Sequence, residues 1–479
     1  MKVLLCVHGW PPELAGGTEG AAQCLAHELA RLGDEVVVVA GTLERAAAPR
    51  VRESLEEVAG ARPLRVLRVA RADLHFDHWH KSLGPGAAAL YREVLRAERP
   101  DVVHVHHWLR LTRELVLISA RERVPAVVTL HDFWTTCPLV FRVRPDTLAP
   151  CDATMAADPC LACAAPIGPP TPWVPPEAQR IALAGRAAGL ARELALARAL
   201  IVPGRAHGEA LRAQHAALGL AIAPRVVTPA CALAPPDPSE RVPLAPPGPG
   251  RPLVLGSWGH LCALKGTDLL FDALERLSDP ERAALVLAGP EERPGYVDAL
   301  RAAHPRARVE WRGPFARGDL ARHAVTAVHA MVSATRARES HGAVLDEARA
   351  LGLPAVLPRA GAFAQRAGPE SGALLFEPGD AADLARTLAR LVEEPGLVAA
   401  LAARVPREVV SPGRHAREVR AILAAAAAAG PPDAREVPAE QWFEQRLRQR
   451  EERIWDEALE RREAAGAGEH PVSAGDAAG

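Results

Sequence analysis

Two glutamates, Glu339 and Glu347, are separated by seven residues that include the pair His341-Gly342. Backbone amides around such a pair suit an anion when they open a helix, because the helix dipole favours negative charge there. Two carboxylates beside an anion are poor ligands for it, but they can accept hydrogen bonds from sugar hydroxyls. A capped helix with two solvated glutamates would show the same spacing, so the pattern alone leaves both interpretations open.

The elements that position these glutamates follow from the apolar pattern. An apolar run at 327–332 predicts a buried strand, and apolar residues with helical spacing predict a helix over 343–351. Glu339 would then lie on the loop after a strand, Gly342 at the start of the helix and Glu347 about one turn inside it. In an open α/β sheet this is the place where ligands bind.

The same stretch resembles the donor-site signature of retaining GT-B glycosyltransferases of family 4. The shared features are Glu-x7-Glu with Gly342 at the fourth position, followed by Ala-Leu-Gly-Leu-Pro-Ala-Val at 350–356. The resemblance implies the GT-B fold, in which two Rossmann-like, doubly wound α/β domains face each other across a cleft. It also implies that Glu347 binds the ribose of a nucleotide sugar, that Glu339 contacts the donor sugar, and that the amides of His341 and Gly342 hold the diphosphate.

A lysine in the second half of the chain is a candidate for the diphosphate. Only three of the 57 Lys and Arg residues are lysines, so Lys265 indicates a place where a compact ammonium is needed. The resemblance implies an Arg and a Lys here; Lys265 matches, but His260 stands where Arg is usual. A nearby diphosphate would favour protonated His260, or Arg336 or Arg338 could supply the charge. The alternative for Lys265 is a solvated helix cap.

The distribution of strands, helices and prolines predicts the domain organisation. Strands alternate with helices over residues 1–231, which indicates a Rossmann-like acceptor domain. A Pro-rich linker at 232–252 precedes a second alternation at 253–430, the predicted nucleotide-sugar donor domain. A charged helix is predicted at 436–463 and a disordered tail at 464–479.

Two features of the first domain could take part in chemistry. Gly16 and Gly17 open a helix after the first strand, where glycine lets a backbone approach phosphate; a plain turn would look the same. His131 ends a predicted strand, a place where histidine is often only structural, but the resemblance implies a positioning role near the reacting sugar. Three further histidines at another strand end are assigned more loosely to the acceptor side: His104, His106 and His107.

Four cysteines cluster in a loop-like insert at 137–163, namely Cys137, Cys151, Cys160 and Cys163. Their number suits a structural zinc site, although the spacing is irregular. Thiols without a metal are the alternative, and disulfides are less expected without a secretion signal.

Composition excludes several classes of protein. The 479 residues, 49% of them hydrophobic, suit two domains, and a net charge of −1 shows no nucleic-acid footprint. No run of 18 apolar residues predicts a membrane span, and the start of the chain does not fit a signal peptide. We therefore expect a cytoplasmic protein. The Arg-rich stretch 180–198 could contact the inner face of the cytoplasmic membrane, but an ordinary solvated helix explains it better.

The resemblance implies a retaining glycosyltransferase that moves a sugar from a UDP- or GDP-type donor to a glycan or lipid-linked acceptor, in cell-surface polysaccharide synthesis. The chain has no Asp-x-Asp motif, which suits a donor site that requires no cofactor. Two alternatives stay open: a nucleotide-sugar epimerase or phosphorylase on the same fold, and a non-catalytic sugar-nucleotide or glycan-binding protein.

Overall fold

The computed structural model describes residues 1–44, 46, 48–71, 85–155, 157–164, 176–231, 233, 244–248, 250–315, 320, 327–394, 396–433 and 436. The chain forms two compact units. The first unit contains Met1–Val140, Ala153–Thr228 and the chain from Pro412 onward, and the second contains Phe141–Asp152 and Pro229–Ser411.

The first unit is built on an eight-stranded sheet whose strands lie in the order β3-β4-β2-β1-β5-β6-β7-β8. All neighbouring strands are parallel except the edge pair β3 and β4. The strands are β1 (Lys2–Val7), β2 (Glu35–Gly41), β3 (Arg50–Glu56), β4 (Leu64–Ala70), β5 (Val102–Val105), β6 (Ala126–Thr129), β7 (Ala199–Val202) and β8 (Arg225–Val226). Most of β3 is charged and exposed, so it has no apolar run that predicts a strand from the sequence.

Helices cover both faces of this sheet because neighbouring residues of its inner strands point to opposite sides. Leu4 and Val37 belong to one apolar core, whereas Val3 and Val36 belong to the other. The helices of this unit are α1 (Gly17–Arg31), α2 (Pro85–Glu98), α3 (Leu115–Arg121), α4 (Ala157–Ala164), α5 (Pro176–Leu196), α6 (Arg205–Ala217) and α13 (Pro412–Ala429).

The second unit is a six-stranded, wholly parallel sheet in the order β11-β10-β9-β12-β13-β14. Its strands are β9 (Leu253–Trp258), β10 (Ala283–Ala288), β11 (Val309–Trp311), β12 (Ala330–Val332), β13 (Ala355–Pro358) and β14 (Ala373–Phe376). Its helices are α7 (Thr267–Glu275), α8 (Tyr296–Ala303), α9 (Ala343–Ala350), α10 (Gly361–Arg366), α11 (Ala381–Glu393) and α12 (Leu397–Ala403). The strand order reverses between β9 and β12, which creates a crevice at their carboxyl ends.

The unit boundaries differ from the sequence-based domains in two places. Helix α13 lies within the predicted donor domain 253–430 but packs on the first unit, because its apolar face joins the core that contains α1. The buried Asp34 carboxylate also accepts two hydrogen bonds from Arg420 of α13, at 2.7 and 3.0 Å. The segment Phe141–Asp152, expected in the acceptor domain, belongs to the second unit.

Several predicted segments lie largely outside the described residues. These are most of the linker 232–252, the charged helix 436–463 and the tail 464–479. Among the helices that are described, none combines the length and apolar character needed to cross a bilayer.

Candidate active site

Two loops meet at the reversal point of the second sheet. The loop from β9 to α7 carries Lys265, and the loop from β12 to α9 carries Glu339. Lys265 Nζ donates a hydrogen bond to Glu339 Oε1 at 2.9 Å, and Thr335 Oγ1 donates to the same oxygen at 3.3 Å. The structure therefore brings together two of the residues that the sequence singled out, although they are 74 positions apart.

Glycines allow both loops to approach their neighbours closely. Gly266, which caps α7, has φ +72°, and a Cβ there would lie 1.9 Å from the backbone oxygen of Ala334. Gly342 caps α9 with φ +74°, and a Cβ there would lie 2.2 Å from Phe363 Cε1. Side chains rarely adopt such φ angles and would clash here, so glycine fixes the course of each loop.

Glu347 lies in α9 and is held by a residue from the end of the neighbouring strand. Trp258, the last residue of β9, donates a hydrogen bond from Nε1 to Glu347 Oε2 at 2.7 Å. The indole is buried and the glutamate is half-buried. A carboxylate has a second oxygen and further lone pairs, so Glu347 can still accept hydrogen bonds from a ligand.

The electrostatics favour a charged ammonium at Lys265. Burial alone would lower the pKa of Lys265, but the attraction and hydrogen bond of Glu339 outweigh burial and raise the pKa. Lys265 is thus protonated at neutral pH. An ammonium has three N–H donors, so it can bind an anion without giving up its contact with Glu339.

The other cationic candidates are engaged elsewhere. The two terminal guanidinium nitrogens of Arg336 donate hydrogen bonds to the two carboxylate oxygens of Asp268, at 2.7 and 2.6 Å. Arg338 donates to Asp152 at 2.8 Å. For His260, burial lowers the pKa and Lys265 lowers it further, against the opposite effect of Glu292. Arg336 and Arg338 therefore each have a carboxylate partner in this structure, and their contribution to a diphosphate stays a prediction.

His341 takes part in a network with Asp346 and Arg366. Its Nε2 lies 2.6 Å from Asp346 Oδ2, and Arg366 donates to the His341 carbonyl oxygen at 2.5 Å and to Asp346. Burial would raise the pKa of Asp346, but His341 and Arg366 outweigh it and lower the pKa. The imidazole thus stabilises the loop that leads to Gly342 at the start of α9.

In the first unit, Gly16 caps α1 in an extended conformation and Gly17 begins the helix. A Cβ at Gly17 would meet nothing within 4 Å, so protein packing does not require a glycine there. The first turn of α1 also carries Glu19, a buried carboxylate that lies 2.9 Å from His8 Nε2. Burial would raise the pKa of Glu19, but His8 outweighs burial and lowers it to about 2.

His131 ends a row of buried histidines. His106 Nδ1 lies 2.8 Å from His131 Nε2, His106 Nε2 lies 3.2 Å from His104 Nδ1, and His104 Nε2 lies 2.8 Å from Thr129 Oγ1. Burial lowers the pKa of His104 and of His131 to about 3, and it also lowers the pKa of His106 well below its usual value. All three rings are neutral at pH 7, and each shared proton fixes the tautomer of the next ring.

His107 is separate from this row. Its Nδ1 accepts a hydrogen bond from the Leu109 amide at 3.0 Å, and its Nε2 lies 3.8 Å from Asp132. Burial raises the pKa of Asp132. The loosely assigned histidines therefore divide into two that orient His131 and one that contacts Asp132.

The cysteines do not assemble the expected zinc site. Within the described residues, which include all four, no three His, Cys, Asp or Glu side chains are placed to hold a metal ion. Cys151 belongs to the second unit, whereas Cys137, Cys160 and Cys163 belong to the first. The buried guanidinium of Arg186 interacts electrostatically with Cys137 and Cys160, and a cation there disfavours a divalent metal.

Several partners of the site were missed by sequence reasoning. The sequence analysis singled out neither Trp258, the last residue of β9, nor Glu19 in the first turn of α1. Their positions in the sequence could have identified them: Trp258 ends the strand beside β12, and Glu19 closely follows Gly16 and Gly17. Phe141 gave no signal at all, because it joins the second unit from a distant part of the sequence.

Comparisons with known proteins agree with this architecture. The model of Glycosyltransferase Family 4 matches residues 15–216, and that of Glycosyl transferases group 1 matches residues 252–394. No curated protein sequence matches the chain.

Solved structures share the fold at low sequence identity. Anabaena Alr3699/HepE in complex with UDP is 17% identical, with a TM-score of 0.56 over 89% of this chain and 100% of that one. Sucrose-phosphate synthase from Thermosynechococcus elongatus is also 17% identical, with a TM-score of 0.56 over 90% and 97% of the two chains. A UDP-forming α,α-trehalose-phosphate synthase from Burkholderia vietnamiensis is 14% identical, with a TM-score of 0.59 over 89% and 98%.

Both halves of the chain match glycosyltransferase families, and both sheets have the Rossmann-like layout of the GT-B fold. The chain therefore belongs to the GT-B glycosyltransferases of family 4.

Proposed function

We propose that this glycosyltransferase moves a sugar, with retention of anomeric configuration, from a nucleotide sugar to a glycan or lipid-linked acceptor. The observation that carries the proposal is the contact of Lys265 with Glu339 at the reversal point of a parallel sheet, beside Glu347 held by Trp258. One cation and two carboxylates at that position match the three parts of a nucleotide sugar: diphosphate, sugar hydroxyls and ribose hydroxyls.

In this proposal Lys265 offsets the charge that develops on the leaving diphosphate. The bond between the anomeric carbon and the phosphate oxygen breaks, a bond from the acceptor oxygen forms on the same face, and the acceptor proton passes to the departing phosphate. The protein positions the reactants and stabilises charge, and needs no nucleophile of its own. Because Lys265 carries three donors, it can hold Glu339 and a phosphate oxygen at once.

The carboxylates set the orientation of the donor. Glu339 accepts from hydroxyls of the sugar, and Glu347 accepts from hydroxyls of the ribose, since each carboxylate has about four lone-pair sites. In the first unit, we assign His131 a hydrogen-bonding role toward the reacting sugar, and we assign Gly16 and Gly17 to a loop that a phosphate or an acceptor can approach closely. Charge compensation by Lys265 makes a divalent cation unnecessary.

The relatives suggest a donor to try first. Anabaena HepE has been solved with UDP and with UDP-glucose, so we propose a uridine nucleotide ahead of a guanosine nucleotide. We further propose that the acceptor is an intermediate of cell-surface polysaccharide synthesis and that the reaction takes place in the cytoplasm, at the inner face of the membrane for a lipid-linked acceptor.

A donor and acceptor screen tests the proposal. The purified protein is incubated with UDP- and GDP-sugars, with and without short glycans or a polyprenyl-linked sugar, and released nucleoside diphosphate is measured. We expect release from one donor to rise with a suitable acceptor, and NMR of the product to show the anomeric configuration of the donor. Product of inverted configuration, or conversion of the donor to an isomeric nucleotide sugar without acceptor, would contradict it.

A further inference from the structure

A short segment from the first half of the sequence is built into the second unit. The chain leaves the first unit after Val140 and returns to it at Ala153. Between them, Val143 and Pro150 form an antiparallel bridge, and the Cys151 amide donates to the Arg142 carbonyl oxygen at 2.8 Å. We call residues 141–152 the 141–152 hairpin.

One residue next to Glu339 anchors both ends of this hairpin. The Arg338 amide donates to the Phe141 carbonyl oxygen at 3.3 Å, and the Arg338 guanidinium donates to Asp152 Oδ1 at 2.8 Å. The ion pair is largely exposed and contributes less than about 1 kcal/mol by itself. Its consequence is positional, because it fixes the hairpin beside the loop that presents Glu339.

The first residue of the hairpin lies against the charged pair of the site. Lys265 Nζ is 5.7 Å from the centroid of the Phe141 ring, within the range of a cation–π contact. The same ammonium donates to Glu339 at 2.9 Å. The Phe141 ring is only partly buried, and so are the side chains of Lys265 and Glu339, so all three present surface to solvent.

The backbone of the segment is strained. Val140, Arg142 and Leu148 have φ angles of +70°, +55° and +55°, and they make up half of the six non-glycine residues with positive φ in the described part of the chain. Residues other than glycine rarely adopt such φ angles, and for a β-branched valine the conformation is a clear outlier. Strain of this kind persists where the surroundings over-determine a conformation, and it clusters at ligand sites.

We propose that Phe141 is a specificity-determining residue, whose ring forms a wall for the donor sugar beside Glu339. The C–H face of a pyranose is apolar, so an aromatic ring can pack on it while Glu339 accepts from the hydroxyls at its edge. This inference rests on the proposed function, since it assumes that a nucleotide sugar binds at Lys265 and Glu347. It adds to the donor site a contact supplied by the 141–152 hairpin.

Paired titrations test the proposal. Dissociation constants are measured by calorimetry for a nucleotide sugar and for its bare nucleoside diphosphate, using UDP-glucose with UDP and GDP-mannose with GDP. We expect Phe141→Ala to weaken the nucleotide sugar about fivefold to tenfold and to leave the nucleoside diphosphate within about twofold. Phe141→Tyr keeps the ring and should bind the nucleotide sugar like wild type. Asp146→Asn, at the exposed tip of the same hairpin, is the matched control and should change neither constant.

The outcomes separate this inference from the proposed function. If Phe141→Ala weakened the binding of the nucleotide sugar and of the nucleoside diphosphate equally, the ring would act only through Lys265 and the diphosphate. If neither dissociation constant changed, the ring would have a purely structural role. Either result overturns the inference. If Glu347→Ala weakens binding while Phe141→Ala does not, the inference alone fails. If wild type binds none of the four ligands, the proposed function fails and the inference with it.

Discussion

The hydrogen bond from Trp258 to Glu347 allows a direct test of the proposal that Glu347 binds ribose. In Trp258→Phe an aromatic ring remains in the buried position, but the Nε1–H group that donates to Glu347 Oε2 at 2.7 Å is lost. The carboxylate is then no longer fixed in orientation. Its contacts with ribose hydroxyls should weaken, while contacts with the diphosphate and the sugar persist.

The expected magnitude follows from the kind of hydrogen bond. A hydrogen bond to a charged group contributes about 1.5–3 kcal/mol, and about 1.4 kcal/mol corresponds to a tenfold change in affinity. We therefore expect wild type to bind UDP at least about tenfold more tightly than 2′,3′-dideoxy-UDP. In Trp258→Phe, the preference for the ribonucleotide should fall to about threefold or less, because a mobile carboxylate forms weaker contacts.

Calorimetric titration of both nucleotides measures this preference directly. The chain supplies a matched control in Trp311, a half-buried tryptophan of β11 whose Nε1 donates to the Gly289 carbonyl oxygen at 3.0 Å. Trp311→Phe removes a comparable hydrogen bond from the same sheet without touching Glu347, and should keep the full preference. Guanosine nucleotides replace the uridine pair if the donor screen selects them. Glu347→Gln is titrated in the same way as a second variant. If Trp258→Phe and Glu347→Gln each kept the wild-type preference for UDP over 2′,3′-dideoxy-UDP, the reasoning would be refuted.

Three further predictions concern stability. The pKa values of His104 and His131 are depressed in the folded protein, so the unfolded chain binds protons first as the pH falls. The free energy of unfolding should therefore decrease below pH 6.5, by about 1.4 kcal/mol per pH unit for each histidine that stays neutral in the folded state. Urea unfolding at pH 7 and pH 5 should show this loss and a smaller loss in His106→Gln, and equal stabilities at the two pH values would contradict it. Gly266→Ala should lower the melting temperature much more than Gly295→Ala, because both have positive φ but only the first would clash with Ala334; similar melting temperatures would show that the clash relaxes. Asp34→Ala should destabilise the protein by about 1.5–3 kcal/mol, since it removes the buried carboxylate that accepts hydrogen bonds from Arg420, and no measurable loss of stability in urea unfolding would argue against α13 as part of the first unit.

Much of the donor half could be predicted because its chemistry is local in sequence. Glu339, Gly342 and Glu347 belong to one loop and one helix, so periodicity and spacing suffice to place them. Lys265 was singled out because lysine is rare in this chain and because the family resemblance implies a lysine at this position. The loops after β9 and β12 then lie side by side, because the two strands are parallel neighbours and their carboxyl ends meet at the same edge of the sheet.

What escaped prediction depends on contacts between distant segments. The apolar face of α13 predicts that the helix packs against a hydrophobic core, but the pattern does not distinguish between the two sheets. The 141–152 hairpin has no apolar periodicity, and its place is set by Arg338 nearly two hundred residues later in the chain. The four cysteines showed the limit of spacing arguments, since residues close in sequence are divided between two units.

Donor binding by single-residue variants tests the central claim most directly. Calorimetry with the donor that wild type uses should show about tenfold to a hundredfold weaker binding for Lys265→Ala and for Glu347→Ala, as expected when a hydrogen bond to a charged group is lost. Glu310→Ala, at an exposed position whose ion pair is with Arg312, should bind like wild type. If both site variants retained wild-type affinity and turnover, the donor would have to bind elsewhere, and the assignment of the donor site to Lys265 and Glu347 would be wrong.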